Sequence, residues 1–292
     1  MSERETGSLA ATTQPKVSRR IPARFGELAK KGELGIVAYI TAGDPSLEAS
    51  EKIVLAAAEA GADVIELGVP FSDPVADGPV IQRAGDRALR SGTTLAGVLN
   101  LVSRLRRDTQ VPLVLFSYFN PILQMGLEKF ADTAARTGAD GVLVTDLTPE
   151  EAVEYRSLLQ AQNLDTIFLA APTSTDARLA QISAATTGFL YLVSRTGVTG
   201  TRDALPAELP ALVRRARKFT PLPIAVGFGI SLPTHVTVLG GIADAAVVGS
   251  ALMTAVEKSG SADGAAAAVA DQVRALKIAA RAGVSHRSGE AL

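Results

Sequence analysis

The sequence contains no cysteine. That excludes disulfides, thiolate metal sites and a cysteine nucleophile together, and it suits a reducing cytoplasm. The formal net charge is -1 over 292 residues, so no excess of either sign favours nucleic acid or an acidic membrane surface. No run approaches the roughly 18 apolar residues that a membrane-spanning helix requires. The opening residues, MSERETGSLAATTQPKVSRR, lack the apolar stretch of a secretory signal, and Glu3 and Glu5 argue against a transit peptide. Histidine occurs twice, at His235 and His286, and both read as surface positions rather than general bases. All eight lysines fall in the amino-terminal arm, helical stretches or loops, which argues against a Schiff-base aldolase. No His, Asp and Glu group has metal-ligand spacing, and Gly-x-Ser-x-Gly is missing.

What is present is apolar and periodic. Hydrophobic residues make up 47% of the chain, ample for one continuous core. Short apolar runs recur at GIVAYIT (35–41), DVIELG (63–68), PLVLFSY (112–118) and GVLVTD (141–146). They continue at TIFLAA (166–171), GFLYLV (188–193), LPIAVGFG (222–229) and AAVVGS (245–250). Most are continuous rather than alternating, the pattern of strands buried on both faces of a parallel sheet. Between them lie helical stretches such as LEASEKIVLAAAEA (47–60) and LEKFADTAARTG (127–138). Gly61 and Gly138 stop these helices, and Gly-Ala-Asp then opens the next strand both times; Gly-Ile-Ala-Asp repeats the device at 241–244.

Eight strand–helix units predict an α/β fold, a single (β/α)8 TIM barrel. An open doubly wound sheet also alternates strand and helix, but no Gly-x-Gly-x-x-Gly follows the first strand. RIPARFGELAKKGE (20–33) reads as an extra N-terminal helix placed to plug the barrel bottom. Residues 1–20 read as a flexible arm, 21–284 as the barrel and 285–292 as a frayed tail.

Catalytic groups of such barrels stand at the C-terminal ends of the strands. Glu66 falls inside the second strand, where burial would favour its neutral form and suit a group that gives and takes a proton. A structural glutamate fits the pattern equally well. Asp77 follows in VPFSDPVADGPVIQ; alone it reads as a turn residue before Gly78. Glycine clusters follow the last three strands, at 194–200, 227–231 and 249–250. Backbone amides at such turns form an anion site, and barrels commonly hold phosphate after strands seven and eight. The residues therefore point to a phosphorylated small molecule handled by carboxylates.

GADVIELGVPFSDPVADGPVIQRA (61–84) resembles the strand-two signature of the tryptophan synthase alpha chain family. The similarity continues through YITAGDPS (39–46), YFNPI (118–122), DLTPEEA (146–152), YLVSRTGVTG (191–200) and VGFGIS (226–231), roughly residues 22 to 282 in all. It implies retro-aldol cleavage of indole-3-glycerol phosphate to indole and glyceraldehyde 3-phosphate. Glu66 matches the family's acid/base glutamate, and Asp77 the aspartate that steadies the positive indole nitrogen. Tyr191 and Thr199 match the site wall and closing loop, and Tyr39, Leu143 and Phe228 the indole pocket. Gly200, Gly229, Gly249 and Ser250 match the phosphate-binding backbone. The resemblance also implies a cytoplasmic alpha2–beta2 assembly. Its beta chain carries pyridoxal phosphate, while this chain carries no cofactor and no metal. Thr148 stands where the family often has proline, implying a less rigid loop, and Tyr39 where some members have phenylalanine. A sugar-phosphate isomerase of amino-acid biosynthesis and a non-catalytic allosteric barrel remain the alternatives.

Overall fold

The computed structural model describes residues 19–194, 205–227 and 229–282. Strands among them are β1 (Gly35–Thr41), β2 (Val64–Gly68), β3 (Leu113–Ser117), β4 (Gly141–Val144), β5 (Asp165–Ile167), β6 (Leu169–Ala170), β7 (Leu190–Val193), β8 (Ile224–Gly227) and β9 (Ala245–Val248). Helices are α1 (Arg20–Lys31), α2 (Leu47–Glu59), α3 (Pro79–Arg90), α4 (Leu95–Leu105), α5 (Phe119–Met125) and α6 (Leu127–Thr137). The chain continues with α7 (Val153–Ala161), α8 (Asp176–Ala185), α9 (Leu209–Arg217), α10 (Pro233–Leu239), α11 (Ser250–Lys258) and α12 (Ala262–Ala282).

Every strand pairing is parallel, in the order β5-β4-β3-β2-β1-β9-β8-β7-β6. The two ends of that order, β5 and β6, are consecutive in the chain, separated only by Phe168. They are one strand interrupted by a single residue, so the eight-unit barrel closes on itself. The Tyr191 N–H donates to the Phe168 carbonyl at 3.3 Å, and the Thr187 N–H to Thr166 at 2.7 Å, stitching the closure. The strand residues are almost all inaccessible, as continuous apolar runs demand.

Local chemistry sets the helix ends. Ser46, Thr94 and Thr175 side chains accept the amides of Ala49, Gly97 and Arg178 and cap α2, α4 and α8. Gly32 and Gly138 end α1 and α6 in the left-handed conformation. The third device, at 241–244, works differently: α10 ends at Gly240, just before it, and that cap stays right-handed at φ -54°.

The aspartates that close these motifs share one task. Asp63 accepts the Ile36 amide at 2.7 Å, Asp140 the Leu113 amide at 2.8 Å and Asp244 the Ile224 amide at 2.7 Å. Each carboxylate thus ties the start of its strand to the start of a neighbouring one. Helix α1 lies across this N-terminal end. Its Ile21, Phe25 and Leu28 are buried, and the Phe25 ring centroid is 5.6 Å from that of Phe189. Arg19, Arg20 and Arg24 pair with Asp165, Asp140 and Asp63, and buried Lys277 of α12 also reaches Asp63, at 2.8 Å. The plug expected from residues 20–33 is therefore seated, and Arg19 and Arg20 belong with the barrel rather than with an arm. Among the described residues no helix is long and apolar enough to cross a membrane.

Candidate active site at the C-terminal ends of the strands

Parallel register places Tyr39 of β1 beside Glu66 of β2. Glu66 is fully buried, and among the described residues neither carboxyl oxygen has a hydrogen-bond partner. Burial alone pushes it up from 4.5 to about 8. At neutral pH the group is therefore protonated. A buried polar group left unsatisfied is costly, and such groups persist where a ligand will use them.

Asp77 sits in the loop between β2 and α3. Its amide donates to the Pro74 carbonyl at 3.0 Å, and Gln82 of α3 donates to its carbonyl at 2.9 Å. The backbone is a turn, as the local sequence suggests, but the side chain is not spent on that turn. The Tyr118 hydroxyl donates to Asp77 Oδ2 at 3.2 Å and accepts the Ala76 amide at 2.9 Å. Burial raises Asp77 from 3.8 to about 6, with the Tyr118 bond acting in the opposite direction. At pH 7 this carboxylate is mostly ionised while Glu66 is mostly not. Two carboxyls with separated protonation states are the arrangement from which an acid and an electrostatic partner are made.

Tyr39 and Tyr191 are buried, and each feels both carboxyls. Burial pushes both phenols well up, and the charges of Asp77 and Glu66 add to the shift of each. Tyr39 also meets Phe116 edge-on, with ring centroids 5.2 Å apart. Two glycines make room for the phenols. A Cβ on Gly68 would lie 2.1 Å from the Tyr39 hydroxyl, and one on Gly227 2.2 Å from the Tyr191 hydroxyl. Gly227, grouped by sequence with the anion-binding turns, is thus a strand residue that accommodates a tyrosine from β7. Leu143 is fully buried on β4, where it pairs in register with Phe116 of β3 and Ile167 of β5.

Gly229 follows β8 with φ +86°, a conformation that favours glycine. Gly249 precedes α11 and Ser250 is its first residue, so the free amides of that nine-residue helix open beside the barrel mouth. A Cβ on Gly249 would meet Tyr39 at 3.4 Å, which places this end of the site against the tyrosine that neighbours Glu66. Thr199, Gly200 and Phe228 lie outside the described residues.

His235 is not a surface residue. It is 3% exposed, and its Nδ1 accepts the Ser231 amide at 3.3 Å, closing the turn that leads into α10. Sequence reasoning assigned no role to Tyr118, Phe116 or Phe71, whose ring lies 5.1 Å from that of Tyr118. A tyrosine immediately beyond a barrel strand was the available signal for Tyr118.

The model of the tryptophan synthase alpha chain family matches residues 25–281. The chain belongs to this family. The tryptophan synthase alpha chain of Citrifermentans bemidjiense is 53% identical over 239 residues, covering 82% of this chain and 90% of that protein. That of Desulfosudis oleivorans is 46% identical over 262 residues, covering 90% and 99%. Among solved structures, Mycobacterium tuberculosis tryptophan synthase superposes with a TM-score of 0.83 at 33% identity, covering 90% of this chain and 99% of that one. A chain of the tryptophan synthase a2b2 complex of Pyrococcus furiosus gives a TM-score of 0.78 at 41% identity, with 84% and 97% covered.

Thr148, where the resemblance implies that proline is common, is held by local bonds. The Thr148 hydroxyl donates to Glu151 Oε2 at 2.9 Å, the Ala152 amide returns to the Thr148 carbonyl at 3.0 Å, and Glu150 pairs with Arg178. Side-chain bonds fasten the loop where proline would have stiffened the backbone.

Proposed function

We propose that this alpha chain cleaves indole-3-glycerol phosphate to indole and glyceraldehyde 3-phosphate, with Glu66 and Asp77 as its catalytic residues. The observation that carries the reading is a buried, protonated Glu66, unpaired among the described residues, together with an ionised, tyrosine-held Asp77, both acting on Tyr39 and Tyr191.

The chemistry follows from these states. Glu66 delivers its proton to C3 of the indole ring, which puts positive charge on the ring nitrogen. The Asp77 carboxylate stabilises that charge in a site from which water is largely excluded. The bond between C3 and the glycerol carbon then breaks, and its electron pair returns to the ring and neutralises the nitrogen. The adjacent hydroxyl becomes the aldehyde, and its proton goes to the Glu66 carboxylate, which regains its starting form. One proton thus passes from hydroxyl to C3, and nothing else is consumed. Tyr39, Leu143 and Tyr191 form walls for the ring. The amides of Gly229, Gly249 and Ser250 take the phosphate, so that binding far from the scissile bond orients the reacting end.

The chain works with a beta chain, as in the a2b2 complex of its Pyrococcus furiosus relative. Pyridoxal phosphate belongs to that partner. Val75, Leu123 and Val153 are 81%, 52% and 67% exposed, in segments that follow β2, β3 and β4 at the open end of the barrel, and they supply apolar surface for it. A cysteine-free chain of this kind operates in the reducing cytoplasm. The test is indole release from indole-3-glycerol phosphate, with and without a beta chain, by the native chain and by Glu66→Gln. Turnover by the native chain and its loss in the variant are expected. Comparable turnover by both would remove Glu66 from the mechanism.

A further inference from the structure

A charged clamp outside the site joins the elements that carry its two ends. Arg83 of α3 forks onto Glu257 of α11, with Nε to Oε1 at 2.7 Å and Nη2 to Oε2 at 2.8 Å. One turn further along α3, Arg87 Nη1 donates to the same Glu257 Oε1 at 2.9 Å. Its Nε and Nη2 fork onto Asp44, each at 2.8 Å. Asp44 has a side chain only 1% exposed and lies in the turn after β1, the strand that bears Tyr39.

Each partner is attached to a part of the site. Helix α3 begins two residues after Asp77, and Gln82, beside Arg83, holds the Asp77 carbonyl. Helix α11 begins at Ser250, where the phosphate is received, and Glu257 stands in its last turn. A single carboxylate therefore connects the helix behind the ring-binding loop to the helix at the phosphate end. Bidentate arginine–carboxylate pairs fix geometry as well as contributing energy. The two guanidinium groups hold Glu257 down at about 2, so the clamp stays charged throughout the working pH range.

We propose that Glu257 is a positioning residue that sets the distance between the Asp77 loop and the phosphate-receiving end of α11, keeping one substrate molecule in register with both. The inference rests on the reaction assigned above. Neither half-site contains Glu257, so each should bind its own fragment without the clamp. Only a molecule that spans both ends should suffer, because a displacement of about 1 Å in a positioned substrate costs on the order of 10²-fold in rate.

The test uses the alpha chain mixed with a beta chain. Native protein and the variants Glu257→Ala, Glu257→Gln and Arg83→Lys are compared in kcat/KM for indole-3-glycerol phosphate. They are also compared in inhibition by indole alone and by inorganic phosphate alone. The expected result for Glu257→Ala is a loss of about 10- to 100-fold in kcat/KM, with both inhibition constants unmoved. Glu257→Gln and Arg83→Lys should fall between it and the native protein. They carry the test if the alanine variant fails to fold. Unchanged kcat/KM, or weakening of both fragments in parallel with the substrate, overturns the proposal. If the native chain itself releases no indole, the assigned reaction fails and takes this inference with it. Native turnover with unaffected variants sinks the inference alone.

Discussion

Replacing Glu66 with glutamine should abolish cleavage and at the same time stabilise the protein in a pH-dependent way. The carboxyl is wholly buried without a partner among the described residues, and its value rises from 4.5 to about 8 on folding. Between those two values the unfolded chain has released a proton that the folded chain retains. The unfolded state then binds fewer protons, so stability falls as pH rises. Below 4.5 the carboxyl is protonated in both states and the penalty is absent; above about 8 it is fully expressed. The full gap corresponds to about 5 kcal/mol, and at pH 7 about 3 kcal/mol is already present. Against a typical total stability of about 5–15 kcal/mol this is a large handicap. Glutamine has nearly the same shape and is also neutral and buried, so it should match the protonated acid at low pH. Urea unfolding of native protein and Glu66→Gln at pH 4, 6, 7 and 9 reads the difference directly. It should be close to zero at pH 4 and grow to several kcal/mol at pH 9. A difference that does not change with pH would refute the reasoning, because it would mean that the carboxyl is charged, or solvated, in the folded protein.

Four further outcomes follow from the same geometry. Asp77→Asn should lower the rate of cleavage by at least about 10²-fold, the scale for losing a key electrostatic group, and a loss of only a few-fold in single-turnover assays would contradict its role. The dependence of kcat/KM on pH should be bell-shaped, with an acid limb near 6 from Asp77 and an alkaline limb near 8 from Glu66; a profile flat from pH 5 to 9 would count against both. Tyr118→Phe removes the donor that stabilises ionised Asp77, so the acid limb should move to higher pH and the rate at pH 7 should drop about tenfold, the worth of one hydrogen bond to a charged group. Gly68→Ala sets a methyl 2.1 Å from where the Tyr39 hydroxyl lies, so it should displace that ring and cost about 1–3 kcal/mol of stability, measured by thermal unfolding.

The barrel was legible because its strands are unbroken apolar runs, each followed by a helix with a recognisable stop. What escaped were features that depend on contacts across the chain. The break at Phe168 splits one expected strand in two without disturbing the closure. The aspartate opening a strand looks like turn chemistry in sequence, yet Asp63, Asp140 and Asp244 each accept an amide from another strand. His235 reads as exposed because its neighbours Pro233 and Thr234 are turn-like, while in the fold α10 packs it inward. At the site, Glu66 could be placed on a strand but not given a protonation state, since that follows from the lack of any partner for its oxygens. Asp77 was ambiguous for the same reason: its turn is local, and the residue that claims its side chain, Tyr118, lies 41 positions away. Glycines beyond the strands suggested anion binding as a group. The structure separates them: Gly227 makes space for Tyr191, as Gly68 on β2 does for Tyr39, whereas Gly249 precedes the first turn of α11.

The most direct measurement is the infrared carbonyl stretch of the Glu66 carboxylic acid, isolated as the difference between native protein and Glu66→Gln and followed through a pH titration. The band should be present at pH 7 and disappear with a midpoint near 8. A band already lost below pH 6 would show an ionised glutamate in the resting site, with no proton to give to the indole ring.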